Sequence, residues 1–181
     1  ALRRLLDFYL ASAQSAHRLA YDGSTLAEQL SVTGPGHTFA SADEAVAWLT
    51  IEAESLFATV AQTTAHTTAR ATAHTAAQAA HTTVQMTAQA LLAAADLLLA
   101  MEPLLESGSH AREFERRARE TLAAAQRFGA PSSELRCRYV LGRVLFGSNR
   151  LVEARKEFEA SLGLAVRGRH AGVDEHRLRR R

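Results

Sequence analysis

The sequence predicts an all-α fold in which antiparallel helix pairs stack into a short right-handed superhelix. Apolar residues recur at helical spacing through most of the chain. Only 3 prolines and 10 glycines interrupt its 181 residues, a composition that suits long helices better than strands. Hydrophobic residues make up 47% of the chain, but many are alanine, so the 6% of aromatic residues are expected to anchor the packing.

Residues 1–90 are predicted to form an N-terminal helical segment. An amphipathic stripe that includes Leu2 and Tyr9 predicts a first helix ending near Tyr21. Residues 22–40 contain three glycines and a proline, and we expect a long connection there. Connections of this length in compact domains are unusual, so this one is either functional or packed against the helices as a strap.

A second helix is predicted to begin at the capping box Ser41-Ala42-Asp43-Glu44. Ala, Thr, His and Gln then dominate residues 58–90, and the threonines disfavour helix. We expect a helical hairpin with a weak middle here, not a structured site. His66, His74 and His81 lie in this tract, but their spacing and the lack of a nearby carboxylate or cysteine do not suit zinc. No metal site is predicted.

Residues 91–168 are predicted to contain two helix pairs of the tetratricopeptide type. In the second pair, counted from Leu135, small and large residues fall at the positions of that repeat. Small residues there let two helices approach, and large ones fill the groove between repeats. A shift of 40 residues aligns a degenerate first pair. The predicted packing residues are Leu141, Gly142, Ala154, Phe158 and Ser161.

The basic character of the chain is concentrated in its last residues. Six arginines and two acidic residues between Arg167 and Arg181 give a net charge of +4, whereas the whole chain has +2. Residues 169–181 are therefore predicted to form a basic, frayed tail. Direct nucleic-acid binding needs a basic patch on a structured surface, so we expect none.

Two motifs resemble the actinobacterial antibiotic-regulatory activators of the SARP type. The segment Leu2-Arg3-Arg4-Leu5-Leu6-Asp7-Phe8-Tyr9-Leu10 is similar to the helix that follows the nucleotide-binding module of that family. The segment from Glu44 to Val60, with its Ala47-Trp48-Leu49, is similar to a second signature. Thr50 and Ser55 replace an aspartate and an asparagine of that signature, and residues 61–90 resemble an insertion.

The resemblance implies the C-terminal tetratricopeptide-like arm of a regulator that also carries a winged-helix domain and an NB-ARC nucleotide switch of the STAND ATPase class. The sequence begins in helical period without a methionine, as expected of a segment of such a protein. It has no GxxxxGK[ST] loop, so ATP or ADP is expected only in the parent's nucleotide-binding module, and no cofactor is expected here.

The expected function is that of a protein-interaction and sensor arm, which relays partner or effector binding to that switch. The alternative is a free-standing tetratricopeptide adaptor that binds a peptide in its concave groove. Partners would be a protein or peptide, including the parent's own nucleotide-binding module, and an uncapped final helix leaves a homodimer open. No nucleophile elbow or facing carboxylate pair predicts an enzyme. The expected location is cytoplasmic, with no membrane contact.

The first helix of each pair is expected to line the concave groove. Arg136, Tyr139 and Arg143 share one helix face and could clamp a carboxylate. Alternatively, the arginines pair with acidic neighbours such as Glu102 or Glu106, and the sequence favours neither interpretation. The predicted groove residues are Asp96, Leu99 and Glu106 in the first pair and Arg136, Tyr139, Arg143 and Phe146 in the second.

Overall fold

The chain, described by a computed structural model, folds into helices, and its described residues contain no strand. This confirms the predicted all-α class. The helices are α1 (Leu2–Ala20), α2 (Ala42–His74), α3 (Ala80–Ala100), α4 (Pro103–Glu106), α5 (Ala111–Arg127), α6 (Pro131–Gly147) and α7 (Leu151–Leu178), with a 3₁₀ turn at Ala27–Gln29. The structure describes residues 2–22, 24, 27–30, 34–74, 80–106, 108 and 110–178, with the backbone alone at 27, 74, 80, 81, 83 and 169–178.

Three antiparallel helix pairs follow one another along the chain: α1 with α2, α3 with α5, and α6 with α7. The Tyr9 hydroxyl donates to the Glu52 carboxylate at 2.9 Å and joins α1 to α2. At the α6–α7 interface, the Ser161 hydroxyl donates to the Leu135 carbonyl at 3.1 Å. Two pairs were predicted within residues 91–168, and α1 with α2 adds a third.

Equivalent helices of successive pairs run parallel. On one side, α3 and α6 are joined by Arg136 with Asp96 and, nearly two turns further on, by Arg143 with Glu102. The partners are 40 and 41 positions apart, so the axial offset between the two helices stays constant. The first helices α1, α3 and α6 form one layer, which we call the first layer.

The second helices show the same relation on the other side of the molecule. The rings of Phe57 and Phe114 pack edge to face with their centroids 4.9 Å apart. The hydroxyls of Thr64 and Thr121 lie 3.1 Å apart in a buried hydrogen bond. Both pairs join residues 57 positions apart, so α2 and α5 are parallel.

One apolar core extends from α1 to α7 between these layers. It is continuous because each amphipathic helix buries one stripe against both neighbouring pairs. Burial of such side chains is the main favourable contribution to folding. Its largest fully buried side chains include Leu10, Leu49, Leu56, Leu97, Leu98, Met101, Phe114, Leu141 and Leu145.

The described part of the connection at 22–40 packs against α1. This agrees with the expectation of a strap packed against the helices. A β-carbon on Gly36 would overlap the backbone of Ala11 and Ser12, so only glycine allows this approach. The His37 amide donates to the Ser12 hydroxyl at 2.8 Å. We call residues 34–40 the strap, and it ends where the Phe39 ring packs on Trp48.

The helix ends agree with the sequence in part. The Ser41 hydroxyl accepts from the Glu44 amide at 3.2 Å, whereas the Glu44 carboxylate accepts from the Ala40 amide at 2.7 Å instead of reaching Ser41. The hairpin of α2 and α3 forms, and residues 75–79, in the middle of the tract 58–90, lie outside the described residues.

The last helix is longer than predicted. The second helix pair was predicted to end by residue 168, but the backbone stays helical to Leu178, within the region predicted as a frayed tail. The extension contains no proline and several good helix formers. The last three residues of the predicted tail lie outside the described part. None of the helices described here has both the length and the apolar character required to cross a membrane.

Candidate functional site

A polar cluster lies where α1, the α3–α4 junction and α6 meet in the first layer. We define it as His17, Tyr21, Glu102, Glu106 and Arg143. The Arg143 guanidinium is paired with the Glu102 carboxylate, with Nη1 and Oε1 2.6 Å apart. Glu102 is only 5% exposed, so this carboxylate needs the arginine as its counter-charge.

Pro103 explains why Glu102 is available to α6. A proline disfavours helical backbone at the residue before it and cannot donate an amide hydrogen bond. Accordingly α3 ends at Ala100, and the amide of Glu102 bonds to the Leu99 carbonyl in a tighter turn. The short helix α4 then begins at Pro103. The break places Glu102 at the bend between two helices, facing Arg143.

The α1 end contributes His17 and Tyr21. The Tyr21 hydroxyl donates to the Glu106 carboxylate at 2.7 Å, and its ring lies edge-on to His17 with centroids 4.9 Å apart. His17 is 1% exposed. Among the described residues, neither of its ring nitrogens has a hydrogen-bond partner. A buried imidazole in this state is costly, because its polar atoms have lost water and gained no replacement.

Burial and charge shift the titration of this cluster. Burial raises the pKa of the Glu102 carboxyl; Arg143 opposes that rise and Glu106 adds to it. Burial, with the charge of Arg143, lowers the pKa of His17. Burial and the bond to Glu106 raise the pKa of Tyr21. Burial works against the charge of Arg143, but Glu102 and Tyr139 outweigh it and raise the pKa of Arg143.

A second ion pair joins the same helices away from the solvent. Arg136 contacts Asp96, whose side chain is completely buried. Arg136 also donates from Nη2 to the Gln29 carbonyl at 2.7 Å, so it ties α3 and α6 to the connection after α1. Arg136 therefore holds α3, α6 and the connection after α1 together.

The structure separates the predicted groove residues into three groups. Asp96 and Leu99 are buried, so they do not line an open surface. Arg136 and Arg143 pair with acidic residues of α3 and its junction, which is the alternative to a free carboxylate clamp. This follows from the parallel packing of α3 and α6, which brings their charged side chains face to face. The remaining predicted groove residues, partly or largely exposed, are Glu106, Tyr139 and Phe146.

The exposed members are not all in one place. Tyr139 lies half-buried near Arg143, with its ring edge-on to Phe158 at 5.9 Å between centroids. Phe146 is 62% exposed at the end of α6 and, with Leu151, lines a shallow depression at the α6–α7 end. The surface centred on the polar cluster therefore includes Tyr139 and Glu106, and Phe146 belongs to another surface.

The predicted packing residues meet at the α6–α7 interface. Leu141 is completely buried and Ala154 is 2% exposed. The Phe158 ring lies directly against the α-carbon of Gly142. Ser161 bonds to the backbone of α6, as described above. These contacts bring α7 close to α6.

Sequence reasoning missed His17 and Tyr21. Both come from the end of α1, and Tyr21 is 85 positions from its partner Glu106. A signal was present, since His17 falls on the buried stripe of α1, where an ionisable residue is unusual.

Metal and thiol chemistry find little support in the described part of the chain. No group of three or more His, Cys, Asp or Glu residues there could hold a metal ion. His66 is exposed, and the side chains of His74 and His81 lie outside the described residues. Cys137 is buried, and burial, with Asp96 and Glu134, raises the pKa of its thiol to about 12. A thiol in this state is a packing residue, not a nucleophile.

Comparison with known proteins gives two relatives. The chain is 33% identical over 165 residues to the regulatory protein AfsR of Streptomyces griseus, and 35% identical over 166 residues to the regulatory protein AfsR of Streptomyces coelicolor. Each match covers 91% of this chain but only 15% and 14% of those proteins. No protein-family model matches. No solved structure matches either. The chain is thus homologous to one segment, about a seventh in length, of the AfsR regulatory proteins.

Proposed function

We propose that the chain is the tetratricopeptide-like interaction and sensor arm of a SARP-type transcriptional regulator. It relays the binding of a partner or effector to an NB-ARC nucleotide switch elsewhere in the same protein. The similarity to the AfsR regulatory proteins over 91% of the chain supports the regulatory role. The stacked helix pairs support the interaction role, because such arrays present extended binding surfaces.

The observation that carries the proposal is the polar cluster in the first layer. It lies at the contact of all three helix pairs, so a partner bound there touches every pair at once. Glu106 is exposed and Tyr21 is partly exposed, and together they offer a carboxylate and a phenol to a partner. Beneath them, Glu102 and Arg143 hold the pairs in one arrangement.

A relay requires that the partner bind one arrangement of the pairs better than another. In the polar cluster, the hydrogen bond between Tyr21 and Glu106 connects the first helix pair to the second. Its geometry therefore depends on how these two pairs are arranged. A partner that engages Glu106 in one state only would shift the balance between states. The coupling need be only about 1–3 kcal/mol to change an affinity severalfold.

The test is a binding experiment between this chain and the separately produced nucleotide-binding portion of its parent protein, with ADP and with ATP. Tyr21→Phe removes the exposed hydrogen bond, and Glu106→Gln removes the charge of its acceptor; neither leaves a buried charge. Glu54→Gln, an exposed glutamate on α2, is the matched control.

Capture that depends on the nucleotide, and that weakens in Glu106→Gln but not in Glu54→Gln, supports the relay. Capture that is equal with both nucleotides contradicts the relay. Absence of capture with either nucleotide rules out the parent's module as the partner and favours an arm that binds an external peptide or protein.

A further inference from the structure

A cavity of about 550 Å³ lies between the start of α1, the C-terminal half of α2 and the middle of α3. Its apolar wall includes Leu2, Leu6, Met86 and Leu92. The volume lies in the range of small-molecule sites, which are usually apolar with a few polar groups. It is separate from the polar cluster, because Leu6 and His17 are about 16 Å apart along α1.

The cavity follows from the composition of the hairpin. Further from the hairpin turn, buried leucines such as Leu56 on α2 and Leu97 on α3 fill the space between the two helices. Within residues 58–90 the corresponding positions hold alanine and threonine, whose side chains are too small to fill it. Protein interiors rarely leave such spaces without a cause. The tract 58–90, in which we expected no structured site, therefore contributes to a cavity.

One wall residue carries a buried hydroxyl without a partner. Thr63 lines the cavity and is 4% exposed, and its Oγ1 has no hydrogen-bond partner among the described residues. Neighbouring threonines on α2 are satisfied: Thr64 bonds to Thr121, and Thr68 donates to the Thr64 carbonyl at 2.8 Å. Buried polar groups are nearly always paired, so this hydroxyl is an unusual feature of the wall.

The charges around the cavity are of one sign. Arg3, His66 and Arg70 lie at its wall, and the described residues that line it include no aspartate or glutamate. Arg3 also approaches Asp7 at 3.9 Å, so the exposed Arg70 is the more available cation. An anionic head group fits this rim, because arginine binds carboxylates in a planar, two-pronged geometry.

We propose that this cavity binds an organic monoanion with an apolar body, the class that includes fatty carboxylates. The apolar body lies among the leucine and methionine side chains. The carboxylate pairs with Arg70 at the mouth. Binding here does not depend on the proposed relay, so the two can fail separately.

The test is isothermal titration of the whole chain with decanoate, with decyltrimethylammonium as the probe of equal tail and opposite charge. Three variants are compared with the unaltered protein. Ala90→Phe places a ring in the cavity, and Arg70→Glu reverses the charge at its mouth. Arg112→Glu, on an exposed position of α5, is the matched control for charge reversal.

We expect saturable binding of one decanoate, weaker binding of the cation, and loss of binding in Ala90→Phe. Arg70→Glu should weaken decanoate binding by about fivefold or more, which corresponds to about 1 kcal/mol. Arg112→Glu should leave it unchanged. Circular dichroism checks that each variant keeps its helices, and the charge-reversal pair remains decisive if Ala90→Phe does not fold.

Three results would overturn the proposal. One is the absence of saturable decanoate binding. Another is equal binding of the decyl anion and the decyl cation. The third is equal binding by the Arg70→Glu and Arg112→Glu variants, because the anion would then lie elsewhere.

Discussion

The ring of Phe158 occupies the space where a side chain on Gly142 would begin. A β-carbon built on Gly142 would lie 2.5–2.8 Å from three ring carbons, closer than carbon atoms pack. The absence of a side chain at position 142 is thus what allows α7 to approach α6. The sequence pattern predicted small and large residues at these two positions, and the contact gives that pattern its physical reason.

Gly142→Ala is expected to lower the free energy of unfolding by about 1–3 kcal/mol, the usual cost of overpacking a tight contact. Gly163→Ala, on the facing helix α7, is the control, since its β-carbon would meet only the end of Arg167 at 3.6 Å. That control should gain about 0.5–1 kcal/mol from helix propensity. Urea unfolding midpoints measure both. A gain of equal size in the two variants would mean that Phe158 moves away freely.

Arg136→Ala is expected to lower the free energy of unfolding by about 3 kcal/mol, because it leaves the buried Asp96 without its counter-charge. It also removes the bond to the Gln29 carbonyl. Arg155→Ala breaks an exposed pair with Glu159 and should leave the unfolding midpoint nearly unchanged. Thermal melting of the two variants compares them directly. Equal melting temperatures would show that Asp96 finds sufficient compensation from its other neighbours.

His17 is expected to make the protein less stable in mild acid. Its pKa is lowered in the folded state by burial and by Arg143, so the unfolded chain binds a proton more readily. Stability is then fully present above about pH 6.5, the ordinary value, and is lost as the pH falls below it. Glu102 contributes in the opposite direction, because its raised pKa favours the folded state at low pH.

His17→Leu tests this assignment. Leucine removes the titration and two unsatisfied nitrogens, so the variant should match or exceed the unaltered protein at neutral pH. Its unfolding free energy should fall less between pH 6.5 and pH 5. The comparison is made by urea unfolding at several pH values, with the exposed His66→Gln as control. An unchanged pH profile in His17→Leu would assign the acid sensitivity to another group.

Cys137 is expected to react with thiol reagents only when the protein unfolds. Burial raises the pKa of this thiol to about 12, so the reactive thiolate is scarce at neutral pH and shielded from reagent. Labelling with a chromogenic disulfide should be slow in buffer and rapid in denaturant. The labelling rate in buffer reports how often α6 opens. Fast labelling under native conditions would show that α6 opens frequently.

The fold could be predicted from the sequence because helical periodicity is a local property. The 40-residue shift between pairs was also visible, and Asp96 and Arg136 are 40 positions apart. What periodicity could not decide was whether two such charged residues face solvent or each other. Whether they face each other depends on the distance between α3 and α6. Small residues at many positions together determine that distance.

The site was harder to predict than the fold. His17 and Tyr21 join it through contacts with α4 and α6, far away in sequence, and no local pattern records such contacts. The cavity was missed for another reason. Alanine and threonine suggested a weak helix, but their small size matters more here than their helix propensity, because it leaves a space that leucines would have filled.

The two ion pairs between α3 and α6 have a mechanical consequence. Sliding α6 along α3 by one helical turn, about 5.4 Å, would part Arg136 from Asp96 and Arg143 from Glu102 at the same time. Both carboxylates are buried, so each would be left without a counter-charge. Axial sliding between these pairs is therefore strongly opposed. A relative motion of α3 and α6 that keeps both contacts is instead a rotation about them.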